Sequence, residues 1–250
     1  MTRPRVCSVD FLNSAPLVWG LLHGPQQGLF DLSFRVPSEC AGRVASGEAD
    51  IGNLPVIEIA RQNLSMVRGV GVAARGPVRS ILLVSKRPLD QVRTLAADSS
   101  SRTSVELARV VLSRRYAACP AIRAHAPDVE AMLRDSDAAL IIGDPALRLD
   151  PGALPYRVAD LGAEWMEMTG LPMVFAAWAG EAASITPDAS RALVESCRYG
   201  RERLDEVIAA ESAARRIPEP LAREYLERHI VNELDERDYA GLELFLKLAQ

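Results

Sequence analysis

The sequence predicts an α/β protein of two lobes with a ligand cleft between them and a helical C-terminal tail. Three observations point there. Short apolar or β-branched runs alternate with longer amphipathic ones, the pattern of strands and helices stacked in layers, and this alternation occurs twice. After Gly180 it stops, and long Arg/Glu-rich helical segments follow. At 250 residues the chain also exceeds what one small core needs.

Taken in order, the first set has strands over 6–11, 32–36, 49–52 and 80–84, with helices over 16–22, 39–45 and 54–61. Several of the short connections carry Pro or Gly, as turns require. The second set has strands over 94–97, 122–126, 138–142, 156–160 and 173–177, with helices over 105–115 and 129–133. Largely parallel sheets are expected, since strands joined through helices return in the same direction. The tail, read as having no strand, must bury Leu204, Val207, Ile208, Leu242, Phe245 and Leu246 against an existing layer. The simplest arrangement makes residues 1–84 plus 177–250 one discontinuous lobe and 85–176 an inserted second lobe. The chain would then cross near 84–88 and 175–180, forming a hinge.

Composition narrows the function classes. Hydrophobic residues make up 48% and charged residues 25%, with a mean hydropathy of +0.03, so the chain can build a packed core. The formal charge of −4 provides no footprint for a nucleic acid or an anionic membrane, so neither is expected as a partner. Lys86 and Lys247 are the only lysines, which leaves few candidates for Schiff-base chemistry. Cys7, Cys40, Cys119 and Cys197 form no C-x-x-C pair and read as buried free thiols rather than a zinc or redox site. Asp10, Asn13 and Pro16 interrupt the first apolar stretch, no signal peptide is read there, and a cytoplasmic location is expected.

Chemistry is expected at the strand-to-helix junctions, because open α/β sheets bind ligands where helix N-termini present unpaired N–H groups. The first is VDFLNSAPL, with Asn13 and Ser14 ahead of Pro16. The second, ADIGNLPVIE, offers Asn53 as an N-cap with Pro55 just inside the helix. In ADSSSRTSVEL, Thr103 and Glu106 fit a capping box, and Ser99, Ser100, Ser101, Arg102 and Ser104 crowd the same terminus. The fourth, LIIGDPAL, places Gly143 beside Asp144 and Pro145. A fifth feature, GPVRSILLVSKRP, carries Arg79 and Ser80; Arg79 is either a bidentate carboxylate clamp or a solvated arginine. A sixth, LGAEWMEMTGLPMVFAAWAG, clusters Trp165, Met166, Met168, Met173, Phe175 and Trp178, mostly core material, and Thr169 opens a loop able to close over the cleft.

Any one of these polar residues has capping as a sufficient role. Convergence changes the weight. Each helix terminus contributes roughly 0.3–1 kcal/mol toward an anion, and charge-assisted hydrogen bonds add about 1.5–3 kcal/mol apiece. Several termini facing one cleft would hold a small dicarboxylate. No G-x-x-x-x-G-K-[ST], G-x-G-x-x-G, H-E-x-x-H or G-x-S-x-G occurs. Of the three histidines, His23 and His229 read as surface residues, and His125 ends a second-lobe strand within possible reach of the cleft.

Together, FLNSAPLVWGL, SGEADIGNLPVIE, GPVRSILLVS, ADSSSRTSVEL, ALIIGDPAL and LGAEWMEMTGLPMVFAAW resemble the chorismate dehydratase family of the futalosine route to menaquinone. The resemblance covers nearly the whole chain. It implies a type II periplasmic-binding-protein-like fold used as a cytoplasmic enzyme, a cofactor-independent hydro-lyase with no metal. The implied reaction removes water from chorismate, giving 3-[(1-carboxyvinyl)oxy]benzoate. Asn13, Ser80 and Asp144 are then the candidate catalytic groups, Asp144 being either an N-cap or an acid for the leaving hydroxyl. Ser14, Asn53, Arg79, Ser100, Ser101, Arg102, Thr103, Ser104, Gly143 and Thr169 are the candidate substrate-binding positions. Two other readings stay open: 1,4-dihydroxy-6-naphthoate synthase of the same route, and a non-catalytic small-anion-binding protein of this fold.

Overall fold

A computed structural model of the protein describes residues 3–249. It contains two mixed sheets. β1 (Arg5–Val9) leads through a 3-10 turn (Leu12–Ser14) into α1 (Ala15–His23), β2 (Asp31–Arg35) into α2 (Pro37–Ala45), and β3 (Ile51–Pro55) into α3 (Val56–Arg61). β4 (Ser65–Ala74) then carries the chain toward the second sheet. There lie β5 (Ile81–Ser85), β6 (Thr94–Asp98), α4 (Thr103–Tyr116), β7 (Ala121–His125), α5 (Val129–Asp135), β8 (Ala138–Ile142), α6 (Gly143–Leu147), β9 (Arg157–Asp160) and α7 (Leu161–Thr169). β10 (Met173–Gly180) returns to the first sheet, followed by α8 (Pro187–Glu202), α9 (Leu204–Arg215) and α10 (Glu219–Glu224). A π-helical turn (Tyr225–His229), β11 (Val231–Glu233) and α11 (Glu236–Leu248) complete the tail.

The first sheet has the order β11-β4-β10-β3-β1-β2 and the second β7-β6-β8-β5-β9. Parallel pairing holds for β1 with β2 and β3, and for β6 with β7 and β8. β10 runs against β3 and β4, and β5 against β8 and β9, so both sheets are mixed where largely parallel ones were expected. Edge strands β2 and β7 stay partly exposed, while β3, β5 and β8 are buried along their whole length.

Strand periodicity sorts the second sheet's side chains onto two faces. Leu83, Leu95, Leu140 and Ile142 join the large core that also contains the first sheet. Leu82, Val84, Ala96, Ala139 and Ile141 pack with Val129, Met132 and Leu133 of α5. In the tail, α8 lies on α1 and β4, and α11 lies on β10 and α3.

Several expectations are corrected. The tail does contain a strand, β11, which pairs with β4. β4 itself was not expected, because Arg68, Gly69 and Gly71 interrupt its apolar alternation. Gly71 is there because a Cβ would sit 2.7 Å from the Ala176 carbonyl oxygen on β10. Sheet membership puts the first crossing at residues 75–80 and the second at 170–172, ahead of the expected 84–88 and 175–180. A uniformly apolar strand such as β5 does not encode which sheet it joins; its pairing partners do. Cys119 is exposed rather than buried, whereas Cys7 and Cys40 are buried with their sulfurs 3.2 Å apart.

Candidate active site

Between the sheets lies a cleft. Its walls come from both halves of the molecule. Val9 ends β1 and Phe11, Asn13 and Ser14 follow it, Pro55 ends β3, and Val72, Phe175 and Ala176 belong to β4 and β10. Ser80, Ile81, Ile142 and Gly143 come from the ends of β5 and β8, and Ser101, Arg102, Thr103 and Ser104 from the start of α4. Of the expected site residues, the cleft therefore gathers Asn13, Ser14, Ser80, Ser101, Arg102, Thr103, Ser104 and Gly143.

Asn13 is exposed to the cleft by the 3-10 turn that separates β1 from α1. Its backbone oxygen accepts from the Asn232 side chain at 3.2 Å, and Ser14 Oγ donates to its Oδ1 at 3.0 Å. Asn53 is wholly buried within β3 and is not an N-cap; Pro55 holds that position on α3. Its Nδ2 instead donates to Ser14 Oγ at 3.1 Å, from behind the cleft wall.

The N-terminus of α4 has no side-chain cap. The expected capping box does not form, because Glu106 pairs with Arg61 at 2.8 Å and Thr103 Oγ1 instead accepts the N–H of Ile57 on α3. First-turn N–H groups of a helix have no partners inside it, so this open terminus faces the cleft as a donor cluster. Ser101 Oγ, in a residue only 3% exposed, has no hydrogen-bond partner among the described residues. Arg102 donates to the Ser99 and Ser101 carbonyls and is the sole ionisable side chain among the described residues lining the cleft.

Besides Asn53, four expected residues sit elsewhere. Ser100 binds Asp98 through both its N–H and its hydroxyl. Arg79 is no carboxylate clamp: its guanidinium donates to the Ala146 and Leu149 carbonyls, and its φ of 65° turns the backbone so that its N–H reaches Asp160. Thr169 Oγ1 donates to the Trp165 carbonyl at 2.8 Å, closing the end of α7 rather than the cleft. Asp144 turns away from the cleft, accepting the Leu12 N–H and pairing with Arg215, both at 2.9 Å; Ile142 is the N-cap of α6. His125 bonds the Ala126 carbonyl on an edge strand and does not line the cleft.

Two residues of the tail were missed by sequence reasoning. Tyr225, 1% exposed, donates from Oη to Ser80 Oγ at 2.6 Å and accepts from Asn13 Nδ2 at 3.2 Å. Burial pushes its phenol pKa above the ordinary range, so the hydroxyl keeps its proton. Arg215 joins Asp144, Asp10 and Glu211; burial opposes its charge, but the Asp144 and Glu211 carboxylates more than offset that. No local signal distinguishes either residue within a tail rich in Arg, Glu and Leu.

The chain is 32% identical over 264 residues to the chorismate dehydratase of Thermus thermophilus, an alignment spanning 97% of this chain and 94% of that protein. Among solved structures it is similar to a protein of Archaeoglobus fulgidus, with 17% identity, a TM-score of 0.77 and coverage of 99% of this chain and 96% of that one. It is also similar to the periplasmic aliphatic sulphonate binding protein SsuA of Escherichia coli, with 15% identity, a TM-score of 0.65 and coverage of 99% and 86%. These likenesses show the two-lobe periplasmic-binding-protein-like fold. Among the described residues no helix is long and apolar enough to cross a membrane. A family model described as menaquinone biosynthesis matches residues 4–250, and on that match the chain belongs to the menaquinone biosynthesis family.

Proposed function

We propose that the protein is a chorismate dehydratase, a cytoplasmic lyase that converts chorismate to 3-[(1-carboxyvinyl)oxy]benzoate and water without a cofactor. The single observation that carries the reading is a cleft whose described lining holds hydroxyls, an amide and an open helix terminus but no carboxylate, imidazole or amine. Such a lining suits a substrate that brings two carboxylates of its own. The curated relative supports the same substrate.

The chemistry asks little of a protein base. The C3 hydrogen of chorismate is conjugated through a ring alkene to the ring carboxylate, and loss of that proton with the C4 hydroxyl leaves an aromatic ring. The C3–H electrons become the new ring π bond, the C4–O bond breaks, and proton and hydroxide depart as water. With no carboxylate, imidazole or amine in the lining, and with the Arg102 guanidinium permanently protonated, the enolpyruvyl carboxylate of the substrate takes the C3 proton. Asn13 and Ser80 orient that carboxylate and the departing hydroxyl, while Ser101, Thr103, Ser104 and the α4 terminus hold the ring carboxylate. The protein then contributes orientation and preorganised donors.

Purified protein with chorismate and EDTA should yield an aromatic product by ultraviolet absorbance and chromatography. Stoichiometric binding without turnover would overturn the reading in favour of a receptor. Asn13→Ala should lower kcat/KM by about 100-fold or more, about 3 kcal/mol of transition-state stabilisation. Unchanged turnover would remove Asn13 from the mechanism.

A further inference from the structure

We propose that Tyr225 is a positioning residue for this dehydration, aligning a chain of hydrogen bonds so that the Ser80 hydroxyl proton points into the cleft. The inference rests on the chorismate reading and adds to it a residue from outside the cleft wall.

The chain runs through five side chains. Asn53 Nδ2 donates to Ser14 Oγ at 3.1 Å, Ser14 Oγ to Asn13 Oδ1 at 3.0 Å, Asn13 Nδ2 to Tyr225 Oη at 3.2 Å, and Tyr225 Oη to Ser80 Oγ at 2.6 Å. Its direction follows from which atoms can donate. An amide nitrogen only donates and an amide oxygen only accepts, which sets the role of Ser14 and makes Tyr225 the acceptor toward Asn13. Between the two hydroxyls Tyr225 is the donor and Ser80 the acceptor, so Tyr225 spends its proton on Ser80. Ser80 Oγ thereby receives a hydrogen bond and keeps its own proton for whatever occupies the cleft. Successive bonds in a dry site polarise one another, which makes the final hydroxyl a better donor to a developing negative charge.

The backbone around Tyr225 fits this role. Tyr225–His229 form a π-helical turn, closed by the Ile230 N–H on the Tyr225 carbonyl at 3.0 Å, and such turns recur at functional sites. The same turn places His229 Nδ1 2.9 Å from the Pro77 carbonyl. The crossing segment 75–80 is thus held at Pro77 by His229 and at Ser80 by Tyr225. Asp160 adds to this by accepting the N–H groups of Val78 and Arg79.

Tyr225→Phe removes the hydroxyl and leaves the ring in the core. It should lower kcat by about 10- to 100-fold with KM changed less than about threefold and the melting temperature shifted by only a few degrees. In a Ser80→Ala background the same substitution should change kcat by less than about threefold, because the group it acts through is gone. Full kcat in Tyr225→Phe, or an equal loss in both backgrounds, overturns the proposal. Proton NMR reads the bond without turnover: a protected, downfield hydroxyl resonance should vanish in Tyr225→Phe and move in Ser80→Ala. Absence of that resonance in wild-type protein that consumes chorismate overturns the proposal alone. Wild-type protein that leaves chorismate intact overturns the functional reading, and the dehydration role with it.

Discussion

Gly143 shows how one residue shapes the cleft. Its φ of +62° lies in the left-handed region, and a Cβ there would meet the Phe11 ring at 2.6 Å. The glycine lets the start of α6 close against a cleft-lining aromatic from the other lobe. Gly143→Ala combines backbone strain with a forced movement of Phe11, so a loss of about 1–3 kcal/mol in urea unfolding is expected. KM for chorismate should rise as well, since Phe11 can no longer hold its place in the wall. An alanine variant of wild-type stability and KM would show that neither the conformation nor the ring position matters. Asp144, the adjacent residue, illustrates a different point: a carboxylate at the right junction can be fully engaged by an N–H and an arginine, leaving nothing for chemistry.

Among elements, the turn between α5 and β8 depends on Asp137. Its carboxylate accepts the N–H groups of Arg93 and Thr94 at 3.0 and 3.1 Å and the Thr94 hydroxyl at 3.2 Å, with Arg87 nearby at 2.9 Å. The Arg93 and Thr94 N–H groups hold its pKa below the ordinary carboxylate range, with Arg87 adding to the effect. A depressed folded pKa contributes stability above the unfolded value near 4, and that stability is lost as pH falls through the lower folded value. Asp137→Asn should therefore cost about 1–2 kcal/mol at pH 7, and urea titrations should show the gap narrowing as pH drops below about 4. A gap independent of pH would mean the charge plays no part. The same turn anchors the entry to β6, and with it the strand that delivers α4 to the cleft.

At the scale of the whole molecule, Arg215 links the halves. From α9 it reaches Asp10 after β1 and Asp144 at the start of α6, while the Leu12 N–H also binds Asp144. Removing one member of such a partly buried pair leaves a charge without its partner, so Arg215→Gln should cost about 3 kcal/mol in unfolding. Because the pair spans the two lobes, KM should rise more than kcat falls. The double variant Arg215→Gln/Asp144→Asn should recover part of the stability, whereas a purely additive loss would show that the two residues are not coupled.

By itself the sequence determined that this is a two-lobe α/β protein and which junctions carry the polar groups, since alternation, prolines, glycines and short polar clusters are local properties. Asn13, Ser80 and the start of α4 were legible that way. Only the tertiary structure decided that Arg79, Asp144 and Thr169 turn elsewhere, that β4 and β11 exist, and that Tyr225 stands behind Ser80. The reason is distance along the chain. Tyr225 and Ser80 are 145 positions apart, and Asn13 and Tyr225 are 212 apart. Periodicity reports which face of an element is buried, whereas sheet pairing and helix packing decide which buried faces meet.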